Sequence, residues 1–511
     1  MKQHMIKFFK ENQNMLGILC LFIIIQPFLD IIVFFTNPSL ELFGFTIPTL
    51  IRCIFIAILA LISLKHLNKE RDYLFLSIYF MLLFIYTLIH HFIASSSEVI
   101  VPNSFSYSLF SELFYIIRMI LPLAIIYFTR FSKITYEKFI NSILISSLII
   151  GLVIVISNTF CVSLTSYATA SNHTVINWIV WFMDYAKEFK FYEMTSKGWF
   201  YMANQVGGLM MLLLPFCIYD LIKKINLLNI LASAFLVFAM IMLGTRTASY
   251  GWLLICFCFI VVLFFLIFIK KEKWWNLNRI SPIFFLVFFA GVLLLVSPIN
   301  TRKYGYSLGD VDKVTTAPTK ITDDNINDVY SYIEKNYSIF GIQDIYIKQL
   351  YTYKYDPTFW LNIFEYSKNN GVIENREMQT FITKRIDQLN DSNLKYKLFG
   401  YSFSRMRNGY IYIEHDFVAQ AFTMGYFGLF LLIGPYISVM TLVSIKILKK
   451  MKTQPKLIDF TFMISICALL FTSLFTGHLL DELFVMVYAG FICGFFLKRV
   501  STKEITIHEK D

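Results

Sequence analysis

Long, uninterrupted apolar runs dominate the chain. Residues 15–35, 48–64, 73–93, 109–128, 139–159, 199–221, 227–243, 248–269, 280–299, 417–445, 457–475 and 479–497 form about twelve such runs, and each approximates the ~17–25 residues that cross the hydrocarbon core as a helix. Inside a bilayer every backbone polar group must be satisfied within the structure, so segments of this length and composition fold as helices. The expectation is an all-α polytopic membrane protein. Composition agrees: 57% of the 511 residues are hydrophobic and 15% are charged, against roughly 45–50% and about 25% in soluble domains.

The net charge of +11 would suggest nucleic acid as a partner if the basic residues formed one face. They do not. They fall in short connections such as 65–71, 130–138, 223–224, 270–273, 446–456 and the tail from Lys498, and the alternate connections carry few or none. That alternation is the positive-inside pattern, which predicts that both termini are cytoplasmic and excludes a nucleic-acid role. The basic leader (Lys2, Lys7, Lys10) precedes a run too long for a signal-peptide core, so it reads as a retained first span.

The segment 300–414 then faces outward, between spans nine and ten. It is polar, rich in Tyr, Asn, Asp and Lys, and lacks cysteine. A connection of about 115 residues is far longer than a turn and acts as a small domain or a functional lid. The expected organisation is spans 1–9 over 1–299, a mostly helical extracytoplasmic loop over 300–414, and spans 10–12 with a cytoplasmic tail over 415–511. Within the loop, Thr322-Asp323-Asp324 predicts the cap of a helix running to about Asn336, and a second helix runs from Asn375 through Leu389. Cys256 and Cys258 lie in an unbroken apolar run with no acidic or His partner, which reads as packing and not as a metal site.

Charged groups in apolar helices are expensive and therefore mark candidate sites. Arg118 lies mid-span with Glu112 nearby, Arg52 lies one turn inside its span, and Arg246 follows Gly244-Thr245 between two spans. Asp30 reads as a helix-packing hydrogen-bond partner. At the same outward level, Asn204 and Gln205 follow Gly198-Trp199-Phe200, and Arg405-Met406-Arg407 precedes the loop's return. Glu414-His415-Asp416 opens the tenth span, where Asp416 and Gln420 share a helix face, and His478, Asp481 and Glu482 sit in the last hairpin. No metal-ligand spacing, phosphate loop or nucleophile elbow connects these residues. Arginines without a metal suit an anionic ligand such as pyrophosphate, and a carboxylate or His beside them suits activation of a hydroxyl.

Three sets of residues resemble the O-antigen ligase and O-antigen polymerase superfamily of membrane glycosyltransferases, including its Gram-positive branch. They are Gly198-Trp199-Phe200 with Asn204-Gln205, Gly244-Thr245-Arg246-Thr247-Ala248-Ser249, and Ile413-Glu414-His415-Asp416-Phe417 leading into Gly425-Tyr426-Phe427-Gly428-Leu429. Their order, and the single large loop, are similar across most of the chain. The resemblance implies transfer or polymerisation of a glycan from an undecaprenyl-pyrophosphate donor to an acceptor hydroxyl, at the outer face of the cell membrane and without a cofactor or metal. It implies donor binding by Arg246, Arg405 and Arg407, with Arg118, Asn204 and Gln205 as further candidates. It implies a base at His415, although the flanking Glu414 and Asp416 depart from the ligase pattern and leave the base open among the three. The alternative is a lipid-linked oligosaccharide flippase, for which repeats between halves and Gly- or Pro-broken spans are expected; the sequence suggests neither.

Overall fold

The computed structural model describes residues 12–32, 46–64, 70–97, 106–132, 134–162, 174–189, 191–269, 277–300, 321–408, 413–451 and 456–501. The basic leader and the first part of the loop, 301–320, lie outside them. Among the described residues the chain is helical, with no β-strand element. Within the described residues each apolar run overlaps a helix, and the run 417–445 overlaps three. Among the described residues, seven helices are long and apolar enough to cross a membrane, eight if one bent pair counts as a span, and four more are apolar but shorter. The chain is an all-α polytopic membrane protein.

Two compact units divide the chain. The first comprises Met1–Phe75, Ile116–Arg302 and Leu432–Asp511. At its centre lies the Ala203–Lys223 helix, whose apolar window is wholly buried, as expected of a helix that is apolar on all sides. Small and hydroxylated residues let its neighbours approach. A side chain at Gly151 would strike the backbone of Phe235 and Leu236 in the Leu227–Met242 helix, and Ser465 Oγ donates to the Leu212 carbonyl at 2.6 Å. Tyr488 and Ser146 both donate to the Ile23 carbonyl, at 2.8 and 3.4 Å. With no hydrophobic driving force between helices in lipid, close packing and such hydrogen bonds hold the bundle.

The second unit comprises Leu76–Tyr115 and Lys303–Leu431. It has its own core of Ile333, Trp360, Phe364, Ile382 and Ile386, against which Ile93, Ala419 and Phe422 pack. The Trp360 indole donates to the Tyr351 carbonyl at 2.8 Å. Asp356 caps the Pro357–Asn370 helix and accepts both Nε and Nη2 of Arg385, at 2.6 and 3.2 Å.

The Asn375–Leu389 helix spans the residues expected from its pattern. Three other expectations need correction. The Thr322–Asp324 cap is not used: the helix runs Ile326–Asn336, and Asn325 Oδ1 turns back to accept the Thr322 amide, a local bond that competes with capping. The run 417–445 is not one helix but three, Asp416–Thr423, Gly425–Leu432 and Gly434–Met451, the last two bent by 48°. Gly425 takes φ +72°, a left-handed conformation suited to glycine, and ends the first of them. A glycine-broken helix is therefore present, contrary to the sequence reading. Finally, the last helix starts at Leu483 rather than 479, leaving His478–Glu482 in the preceding turn, with His478 at φ +65°.

Candidate functional site

In the second unit, the Gly425 break leaves the Phe422 and Thr423 carbonyls at a helix end, and the segment before Arg405 takes them. Tyr401 N–H donates to Phe422 O at 2.9 Å and Ser402 N–H to Thr423 O at 3.0 Å. Gly400, at φ +85°, lies against Gly425 so closely that a side chain on either would strike the other's backbone. Arg405 therefore sits on a segment laced to the helix that Asp416 opens. Its guanidinium donates through Nη2 to the Ser95 carbonyl at 3.0 Å and lies 5.9 Å from the centre of the Tyr107 ring. Burial lowers its pKa from the ordinary arginine value, but a guanidinium remains a cation in proteins. Arg407 occupies the same Phe403–Asn408 helix, and its side chain lies outside the described residues.

Glu414 is half-buried in an ion pair with Arg376 at 3.0 Å, and its amide donates to Gln379 Oε1 at 2.9 Å. His415 occupies the N-cap position and is partly exposed. Asp416 is the first helical residue and only 3% exposed; a carboxylate there is favoured by the helix dipole. One turn on, the buried Gln420 amide donates to the Tyr115 hydroxyl, and the Tyr115 ring stacks on Phe403 with centroids 3.7 Å apart. Arg405 and the Glu414–Asp416 group thus belong to one compact body, tied together by backbone and by Tyr115.

The other sequence candidates belong to the first unit. Arg118 meets the acids of the last hairpin. It pairs with Glu482 at 3.4 Å and Asp481 at 3.6 Å, and Asp481 in turn lies 3.4 Å from His478 Nδ1. Hydropathy marked both sides of this cluster, but no spacing rule joins positions 364 residues apart. Arg52 pairs with Asp30 at 2.7 Å and donates to Gln26 Oε1 at 2.9 Å, the packing role expected of Asp30. Arg246 is the exposed first residue of the Arg246–Phe264 helix. Its motif has a local logic: Gly244 turns at φ +77°, where a side chain would meet Phe191 and Thr195, and Thr245 Oγ1 caps the helix through the Ala248 amide. Asn204 and Gln205 lie in the first turn of the Ala203–Lys223 helix, with Gln205 buried and its Nε2 3.5 Å from Met202 Sδ. Before them, the Trp199 indole donates to the Pro27 carbonyl at 2.8 Å, and Phe200 stacks on Phe484. This part of the motif therefore ties helices together.

Among the described residues, no group of three His, Cys, Asp or Glu is arranged to hold a metal ion. Neither the curated proteins nor the solved structures give a match. The sequence profile described as O-antigen ligase like membrane protein matches residues 12–503, nearly the whole chain. The chain therefore belongs to the O-antigen ligase-like membrane proteins, integral membrane enzymes of the glycosyltransferase type whose family activity is glycan transfer in surface polysaccharide biosynthesis.

Proposed function

We propose that this chain transfers or polymerises a glycan from an undecaprenyl-pyrophosphate donor onto an acceptor hydroxyl at the outer face of the cytoplasmic membrane. In this reading the chain crosses the bilayer about twelve times, keeps both termini in the cytoplasm, and projects the 300–414 segment outward. The acceptor oxygen attacks the anomeric carbon while the bond to the pyrophosphate oxygen breaks. The acceptor's proton passes to the acid–His group at 414–416, and the charge that develops on the departing pyrophosphate is stabilised by arginine. A fixed cation where charge develops is worth most when it is already in place before reaction.

The observation that carries this reading is the placement of Arg405 on a segment hydrogen-bonded to the helix that Asp416 opens. The base is one of Glu414, which also pairs with Arg376, His415 and Asp416. Arg246, Arg118, Asn204 and Gln205 remain candidates to be tested one by one.

Transfer from a synthetic lipid-pyrophosphate glycan by the purified full chain in nanodiscs tests the proposal. Glu414→Gln, His415→Ala and Asp416→Asn should each be expressed normally, and at least one should lose transfer; full activity in all three removes the group from the chemistry. The glycine-broken helix favours one other reading, a flippase. Deleting the gene discriminates between them: donor accumulates in the outer leaflet if a transferase is lost and in the inner leaflet if a flippase is lost.

A further inference from the structure

Glu112 is 1% exposed, yet its carboxylate collects donors from one short segment. Oε1 accepts the Ser404 amide and the Ser404 hydroxyl, both at 2.8 Å, and the Ser402 hydroxyl as well. Oε2 lies 3.3 Å from both the Phe403 amide and His90 Nε2. The other nitrogen of that buried ring, Nδ1, faces the Phe399 carbonyl. A carbonyl and a carboxylate are both acceptors, so both ring nitrogens donate and the His90–Glu112 bond is charge-assisted.

Among the described residues, the partners of this carboxylate other than His90 fall within 402–404, and His90 itself faces the Phe399 carbonyl. This is the stretch that reaches the Asp416–Thr423 helix through Tyr401 and Ser402 and then delivers Arg405. Ser402 Oγ also accepts the Arg405 amide at 3.1 Å, which starts the short helix. Ser402 adopts φ +141°, a conformation that a residue with a side chain rarely takes and that persists only where the surroundings over-determine it. Glu112 supplies that over-determination.

We infer that Glu112, braced by His90, is a positioning residue that fixes the strained 399–404 segment and so holds Arg405 in place relative to the helix bearing Asp416. The role rests on Arg405 being the cation that receives the pyrophosphate. Glu112 touches no substrate; it acts through Ser402 and Ser404. Its contribution is geometric, and so is separable from its charge. A glutamine can present its carbonyl to the two serines and its amide N–H to His90, whose Nε2 then accepts, losing only the 3.3 Å bond from the Phe403 amide.

The test compares E112A, E112Q and the S402A/S404A double variant of the full chain in nanodiscs. E112A should lower transfer about ten- to hundredfold with a raised KM for donor, as expected for a misplaced binding group. E112Q should restore transfer to near wild type. S402A/S404A should reproduce the loss from the loop side, which keeps the inference testable if E112A is not recovered. E112A combined with R405A should be no worse than R405A alone, because residues acting through one another are not additive.

A second readout needs no activity. The unit contains no native cysteine, so alkylation of R405C by a membrane-impermeant reagent, followed at that peptide, reports the segment's position. It should quicken with E112A and not with E112Q. Wild-type transfer by E112A, equal loss in E112Q and E112A, or additive losses with R405A would each overturn the inference. Wild-type transfer by R405A, with faster alkylation in the E112A background, would instead sink the donor-binding reading while leaving the positioning of residue 405 intact.

Discussion

Replacing Gly425 by alanine puts a methyl group against the backbone of Leu398 and Gly400 and asks a residue with a side chain to hold φ +72°. The left-handed conformation costs about 1–2 kcal/mol. The contact is with backbone, so no side chain can rotate away to relieve it. The segments must part, at the expense of the Tyr401–Phe422 and Ser402–Thr423 hydrogen bonds, each worth roughly 0.5–1.5 kcal/mol. Opening of this junction therefore becomes easier by about 2–5 kcal/mol, which at ~1.4 kcal/mol per tenfold is a loss of about 30-fold to a few thousand-fold in amide protection. Hydrogen–deuterium exchange on the peptide covering 399–404 reads it directly. Gly291→Ala is the control. Nothing lies within 4 Å of the added methyl, and the residue is helical, so protection should be unchanged there. If Gly425→Ala leaves the Tyr401 and Ser402 amides as protected as in the parent, the claim that the glycine pair sets the junction is wrong.

Trp360→Ala removes a fully buried side chain and its hydrogen bond to Tyr351. It should cost about 3–5 kcal/mol and make the second unit protease-sensitive in intact protein. Arg52→Met leaves Asp30 buried without its cation, an expected loss of about 3–5 kcal/mol in thermal denaturation; adding Asp30→Leu should recover most of it. Arg246→Ala removes an exposed side chain, so abundance should hold within about 0.5 kcal/mol of wild-type stability. If Arg246 binds donor, transfer should fall by about tenfold or more, as for loss of a charge-assisted contact; undiminished transfer takes Arg246 out of the site.

Helix positions were legible because hydropathy is local and additive. A run such as 457–475 needs no knowledge of its neighbours to demand a helix, and Leu457–Phe475 is the helix found. The Asn375–Leu389 helix was equally readable from its local start signal. The Thr322–Asp324 cap was misread because the outcome hung on which of several adjacent side chains won the local hydrogen bonds. The break at Gly425 was hidden by an apolar flank on either side: hydropathy counts glycine as tolerable and says nothing of the carbonyls to which the Tyr401 and Ser402 amides donate.

Length, apolar periodicity and the alternation of basic connections determined that this chain is a helical membrane protein with one large polar insertion, since these depend only on transfer of successive residues from water. Which charges meet was decided by the tertiary structure. On paper Arg118 and Glu112 are merely near neighbours, six residues apart on one helix. Folding instead gives Arg118 to Asp481 and Glu482, and Glu112 to His90 and the 402–404 segment. A buried charge takes whatever compensating group the packing brings within hydrogen-bonding distance: for Arg118 that is Glu482, 364 residues on, and for Glu112 it is His90, 22 residues back, joined by Ser402, 290 residues on.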